Sequence, residues 1–164
     1  MVNRGRNDNN ADKIASGELE KLTYSNLYNE SEMQRSEVTS EDIQKVIDLA
    51  EIPLPKLLMD ILEEGIIYGL KIKGTSIIIN FVYVIDIINV DDNYPYFKED
   101  IKEGLIFATD LGDNVYYYGK GKEGVGLYIV GAGDGNFFEE ATKFAETFDD
   151  FFIEGKGIDI LERR

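Results

Sequence analysis

Residues 115–130 read VYYYGKGKEGVGLYIV, two β-rich runs on either side of a short segment of glycine, lysine and glutamate. The central GKGKEG, residues 119–124, matches the G-x-G-x-x-G string of dinucleotide-binding proteins. That string binds pyrophosphate only where a strand enters it and a helix leaves it. The segment that follows is β-branched and aromatic and has no helical period. The stretch therefore predicts a β-hairpin and no cofactor site.

Downstream of the hairpin, apolar residues recur at helical spacing and favour a helix that reaches Glu154. The residues that carry this period are Phe138, Ala141, Phe144, Ala145, Phe148, Phe151 and Phe152. A last short strand is expected over Ile158–Leu161.

Upstream of the hairpin, residues 66–72 and 76–88 are rich in isoleucine and valine and are read as strands. Part of the second run also suits a buried helix, because periodicity does not separate the two. A loop is expected at 91–95. A further strand at Leu105–Thr109 leads into a turn at Asp110–Asn114.

Two helices are expected before these strands. Thr39-Ser40-Glu41-Asp42 has the composition of a helix N-terminus, and apolar residues follow it at helical spacing until two prolines, 53 and 55, end the helix. The second helix covers Lys56–Glu64 and stops at Gly65. Residues 18–37, with Leu19, Leu22, Leu27 and Met33, favour a marginal helix, and residues 1–17 a disordered extension. Helices first and mostly antiparallel strands afterwards predict an α+β fold. We expect one domain over residues 18–164, with a twisted sheet and a C-terminal helix.

Charge and composition limit the possible functions. The chain has 32 acidic residues against 17 basic ones, a net charge of −15, and no cysteine or histidine. Such a surface repels nucleic acid and anionic membranes and favours a basic protein partner. Without histidine and cysteine, the commonest nucleophile–base pairs and zinc sites are absent. No apolar leader follows the first residues, so a cytoplasmic location is expected.

Acidic pairs are the remaining source of catalytic chemistry. A carboxylate-based glycosidase needs two such groups across a cleft, for which Asp110 with Asp113 or Glu139 with Glu140 are available. With so many acids, close pairs occur by chance, so no catalytic residue and no metal ligand is assigned. The segment Asp134-Gly135-Asn136 lacks the spacing of a calcium-binding EF-hand loop.

Three segments, in order, resemble the SUKH superfamily, also called the Smi/Knr family, over about residues 39–154. TSEDIQKVIDLAEIPLPKLLMDILEEG at 39–65 is similar to the family's first two helices and the LP junction between them. FATDLGDNVYYY at 107–118 resembles its strand, D-x-G-G-N turn and next strand, although Asp113 replaces a glycine. KFAETFDDFF at 143–152 resembles its closing A-D-S-F-x-x-F-L segment, although Thr147 replaces serine. The resemblance implies a strand at Glu140–Ala145 and a final helix capped by Thr147, which is the alternative to the long helix.

What the resemblance implies for function is a non-enzymatic binding protein without a cofactor. Bacterial members are similar to cytoplasmic immunity proteins that neutralise a toxin domain, often a nuclease, and fungal members to regulatory proteins of cell-wall synthesis. The partner would be a basic protein and not a nucleic acid or a membrane. Acids in turns and near the last helix are candidates for binding it: Asp110, Asp113, Asp134, Glu139, Glu140, Asp149 and Asp150. The next candidates are Glu41, Asp42 and Asp48 in the first helix.

Overall fold

The computed structural model describes residues 28–30, 34–67, 69–133 and 135–164. The expected N-terminal extension at 1–17 and the candidate Asp134 lie outside these ranges. Most of the helix expected at 18–37 is also outside them. Two of its described parts are strands, β1 (Tyr28–Glu30) and β2 (Gln34–Arg35), and residues 36–37 belong to no helix, so the helix prediction is wrong there. Pairing with strands distant in sequence overrides the helical pattern here, because β1 and β2 pair with chain segments around residues 66–72.

The two helices expected near residue 40 are present. Helix α1 (Ser40–Ala50) begins with a capping box in which Thr39 Oγ1 accepts from Asp42 N at 3.0 Å, and an Asp42 carboxylate oxygen accepts from Thr39 N at 3.3 Å. Helix α2 (Lys56–Glu64) ends at Gly65, whose φ is 67°. Both helices bury apolar residues against the sheet: Val46, Ala50, Leu57, Leu58, Ile61 and Leu62.

Seven strands form one antiparallel sheet in the order β1-β4-β5-β6-β7-β8-β9. Its further members are β4 (Gly69–Ile72), β5 (Ile78–Phe81), β6 (Gly104–Thr109), β7 (Asn114–Gly121), β8 (Gly124–Gly131) and β9 (Thr142–Ala145). Strand β2 pairs with β3 (Ile66–Ile67) in a separate ribbon. The expected α+β fold class is therefore confirmed.

The hairpin prediction for residues 115–130 is confirmed, with Lys122 and Glu123 as its two-residue turn. Only Gly124 of the three glycines has a positive φ, 90°. Gly119 and Gly121 lie inside β7. A Cβ atom at Gly121 would stand 2.5 Å from the Tyr128 ring. Close packing, and not turn conformation, therefore requires glycine at 121.

The apolar run at 76–88 divides into strand β5 and helix α3 (Val84–Ile88), so its second half follows the helical alternative. The expected loop at 91–95 is wrong in part, because Val90–Asn93 forms a single helical turn, α4. Burial of Val90 and the hydrogen bond from Tyr94 N to Val90 O, 2.7 Å, hold that turn. Helix α5 (Phe97–Asp100) follows.

The long helix expected to reach Glu154 is wrong, and the alternative with a strand is confirmed. Residues 142–145 pair with β8, and the Thr147 side chain accepts from Asp150 N at 3.0 Å to begin α6 (Phe148–Phe152). The aromatic spacing misleads because Phe144 packs from a strand into the same cluster as the helix phenylalanines. The expected last strand is also wrong. Ile158–Glu162 is helix α7, which begins at Gly157 with φ 101° and buries Leu161.

Apolar clusters cover both faces of the sheet. Tyr116 lies in the larger cluster with α1, α2, α3 and α6, whereas its neighbour Tyr117 lies in the smaller one with Phe97 and Phe137. Alternation along β7 therefore sends successive tyrosines to opposite faces, as expected for a strand. No helix within the described ranges is long and apolar enough to cross a bilayer.

Candidate functional site

Asp110 organises the turn between β6 and β7. Its Oδ1 accepts from Gly112 N at 2.8 Å and Asn114 N at 3.1 Å, and its Oδ2 accepts from Asn114 Nδ2 at 2.8 Å. Leu111 beside it has φ 64°, a left-handed conformation that this network holds. The carboxylate of this candidate is thus occupied within its own turn.

Asp113 is exposed in the same turn, and Ala132 N donates to its main-chain oxygen at 2.7 Å. Glu139 and Glu140 are also exposed, but Glu139 forms an ion pair of 3.0 Å with Lys122. Lys122 is in the turn at the other end of the β7–β8 hairpin. Strands of eight residues separate the two ends by about 25 Å.

Asp149 and Asp150 are half-buried in the first turn of α6. Asp150 Oδ1 lies 3.6 Å from Lys156 Nζ. Asp149 lines an open groove of about 580 Å³ between residues 53–56 and 146–149. The predicted acids are therefore divided among the two ends of the hairpin and α6. The structure does not bring them together on one patch, and their role in binding stays a prediction.

A different surface has a larger uncompensated charge. We call it the acidic helical surface, and it consists of helix α1, the adjacent Glu51, and helices α3, α4 and α5. It contains nine acids against Lys45 and Lys98: Glu41, Asp42, Asp48, Glu51, Asp86, Asp91, Asp92, Glu99 and Asp100. Three of these acids, in α1, are the second set of candidates from the sequence.

None of the nine acids forms an ion pair with another described residue, although Asp42, Asp48 and Asp100 accept hydrogen bonds. Outside this surface, six of the described acids pair with lysine or arginine. The paired acids are Asp60, Glu139, Glu146, Asp150, Glu154 and Asp159. The acidic helical surface therefore has a negative potential that the fold does not balance locally.

Lys98 lies between the acids of this surface and the start of β6. Its Nζ donates to the main-chain oxygens of Lys102 at 2.7 Å and Gly104 at 2.8 Å. Burial lowers the Lys98 pKa, while the nearby carboxylates of Glu51 and Asp91 act in the opposite direction. Glu51 follows α1 and Asp91 belongs to α4, and α1 also packs against α3. Residues of α3 and α4 line one cavity, and α4 also packs against α5, so these helices adjoin one another.

A cavity of about 350 Å³ opens on this surface beside Ile106 of β6. Its lining combines apolar and polar side chains: Val82, Asp86, Val90, Asn93, Tyr94 and Ile106. Burial, followed by the Asp86 carboxylate, raises the Tyr94 pKa, so its hydroxyl stays protonated at neutral pH. Sequence reasoning missed this cavity because it left the run at 76–88 undivided between strand and helix and assigned residues 91–95 to a loop.

No group of three or more acidic side chains within the described ranges is arranged to hold a metal ion. The two acid pairs considered for a glycosidase are adjacent in turns or loops, and Asp110 is already engaged by the turn amides. No protein-family model matches this sequence, and no curated protein is significantly similar to it.

Proposed function

We propose that this protein is a cytoplasmic, non-enzymatic binding protein of the SUKH type that neutralises a basic toxin domain by covering its cationic surface. One observation carries the proposal: nine acids on the acidic helical surface have no ion-pair partner among the described residues, while six of the acids on the rest of the fold are paired.

The charge pattern supports a basic protein as the partner. Nucleases must present lysine and arginine to hold phosphate groups, so an acidic inhibitor is complementary to their active-site surface. Opposite potentials also accelerate encounter, which matters when a toxin has to be captured before it acts. Helices α1, α3, α4 and α5 are packed on the sheet, so the acids lie on a preorganised surface.

The resemblance in three ordered segments supports the same proposal. In the structure these segments form a helix pair, a strand–turn–strand unit centred on Asp110, and a short helix capped by Thr147. Fold resemblance does not determine function, so the partner has to be identified by experiment.

Genomic neighbourhood and co-expression test the proposal. A toxin domain encoded next to this gene should arrest growth when it is produced alone, and co-production of this protein should restore growth. Purified protein and toxin should associate with a rate constant that falls steeply as ionic strength rises. Failure to rescue growth against every neighbouring toxin would refute the immunity function.

A further inference from the structure

Exposed apolar side chains are concentrated on the acidic helical surface. Six large apolar residues of the described ranges are prominently exposed, and four of them belong to its helices or immediately precede them: Ile47, Tyr83, Ile85 and Tyr96. Ile85 is 56% exposed and Tyr96 62% exposed. Isolated exposed apolar residues are ordinary, but several on contiguous helices beside a cavity are typical of an interface.

The cavity on this surface has the chemistry of a socket for a basic side chain. Val82, Val90 and Ile106 provide apolar wall for an aliphatic stem, and Asp86 and Tyr94 provide a carboxylate and a hydroxyl. At about 350 Å³ it is near the lower limit of small-molecule sites, so it suits one inserted side chain. No described lysine or arginine forms an ion pair with Asp86.

We propose that the acidic helical surface docks a basic protein by taking one lysine or arginine side chain into the cavity beside Asp86, while apolar residues of the partner pack on Ile85 and Tyr96. This inference rests on the proposed function for the identity of the partner but not for the docking chemistry. Nucleic acid and anionic lipid are the wrong occupants, because nine acids repel phosphates. A long cationic side chain satisfies both the apolar walls and the carboxylate.

A designed peptide serves as the probe for the docking chemistry. The probe is a short amphipathic helix of leucine and lysine, compared with one peptide in which glutamine replaces lysine and another in which serine replaces leucine. Amide chemical shifts of the full-length, isotope-labelled protein should change in α1, α3, α4 and α5. Both altered peptides should bind at least tenfold more weakly, since each lacks one of the two interactions.

Matched variants locate the site. Asp86→Asn removes the socket charge and Ile85→Ser an exposed apolar contact, and each should raise the Kd for the leucine–lysine peptide about tenfold. Glu63→Gln and Val125→Ser make similar changes at exposed positions outside the acidic helical surface, and each should change the Kd less than twofold. The proposal would be overturned if the amide chemical-shift changes were centred on the turns at Asp113 or Glu140. It would also be overturned if Glu63→Gln raised the Kd as much as Asp86→Asn does.

The same variants separate the docking surface from the immunity function. If a neighbouring toxin is neutralised equally well by the native protein, by Asp86→Asn and by Ile85→Ser, the immunity function stands and the docking surface is wrong. If the peptide binds at Asp86 as described but no toxin is neutralised, the surface stands and its partner is a basic protein of another kind.

Discussion

Asp110 and Asp113 show how two acids of one turn differ in physical role. The Asp110 carboxylate accepts three hydrogen bonds that fix the turn and the left-handed Leu111, whereas the Asp113 side chain is exposed. Asp110→Ala should therefore lower the free energy of unfolding by about 2 kcal/mol, while Asp113→Ala should change it by less than about 0.5 kcal/mol.

Urea denaturation of the two alanine variants checks this difference. Equal stabilities would show that the Asp110 hydrogen bonds contribute nothing net. Asp113, whose carboxylate has no hydrogen bond or ion pair with the described part of the chain, is the better probe of partner binding in this turn. A slower association rate for Asp113→Asn at low salt would restore the turn as part of the binding surface.

At the scale of elements, strand β9 depends on the glycine that precedes α7. Gly157 has φ 101°, and a Cβ atom there would overlap the main-chain oxygen of Phe144 in β9. Gly157→Ala should lower the free energy of unfolding by about 2–4 kcal/mol, through backbone strain and displacement of the strand edge. Gly133→Ala is the matched control, because a Cβ there meets no atom within 4 Å.

Thermal or chemical denaturation compares the two glycine variants. If Gly157→Ala were as stable as Gly133→Ala, the contact between the start of α7 and β9 would not be a fixed part of the fold.

Local signals predicted some elements well and others badly. Helices α1 and α2 follow from a capping box, two prolines and a terminal glycine, all of which act within a few residues. For residues 142–152 the sequence left two readings open, a long helix or a strand followed by a capped helix. Aromatic spacing favoured the long helix because Phe144 and Phe148 have helical spacing but reach one cluster from a strand and a helix. Short runs such as Ile158–Leu161 fit the period of a helix and that of a strand equally well, so their secondary structure is set by tertiary contacts.

The proposed binding surface could be predicted only in part. Net charge indicated a basic partner, and the acids of α1 were recognised as candidates. Which acids stay unpaired depends on where lysines fall in the folded chain. Lys122, for example, reaches Glu139 across 17 sequence positions. Sequence proximity therefore selected acids that the fold separates.

At the scale of the whole molecule, buried tyrosines make stability depend on alkaline pH. Burial raises the pKa of Tyr116 and Tyr117 well above the ordinary value of 10.0, and both side chains are almost fully buried. In the unfolded chain they ionise near pH 10, so above that pH the unfolded state binds fewer protons than the native state. Stability present below pH 10 is therefore lost as pH rises through and beyond it.

The expected slope is about 1.4 kcal/mol per pH unit for each of these tyrosines. Denaturation midpoints measured from neutral pH to about pH 11 give this slope. The Tyr117→Phe substitution should reduce the slope by the contribution of one tyrosine, about 1.4 kcal/mol per pH unit. Phenolate absorbance of the two buried rings should appear together with unfolding. A stability that is flat across this range would contradict the assignment of both hydroxyls to the interior.

The β7–β8 hairpin supplies side chains to the apolar clusters on both faces of the sheet. Neither cluster can open while the other stays intact, because both are built on the same pair of strands. We therefore expect the two halves of the interior to melt as one cooperative unit, and main-chain amides in the middle of this hairpin to exchange with solvent only when both clusters unfold. A chain with this property has no partly open form for a protease to cut within its central strands.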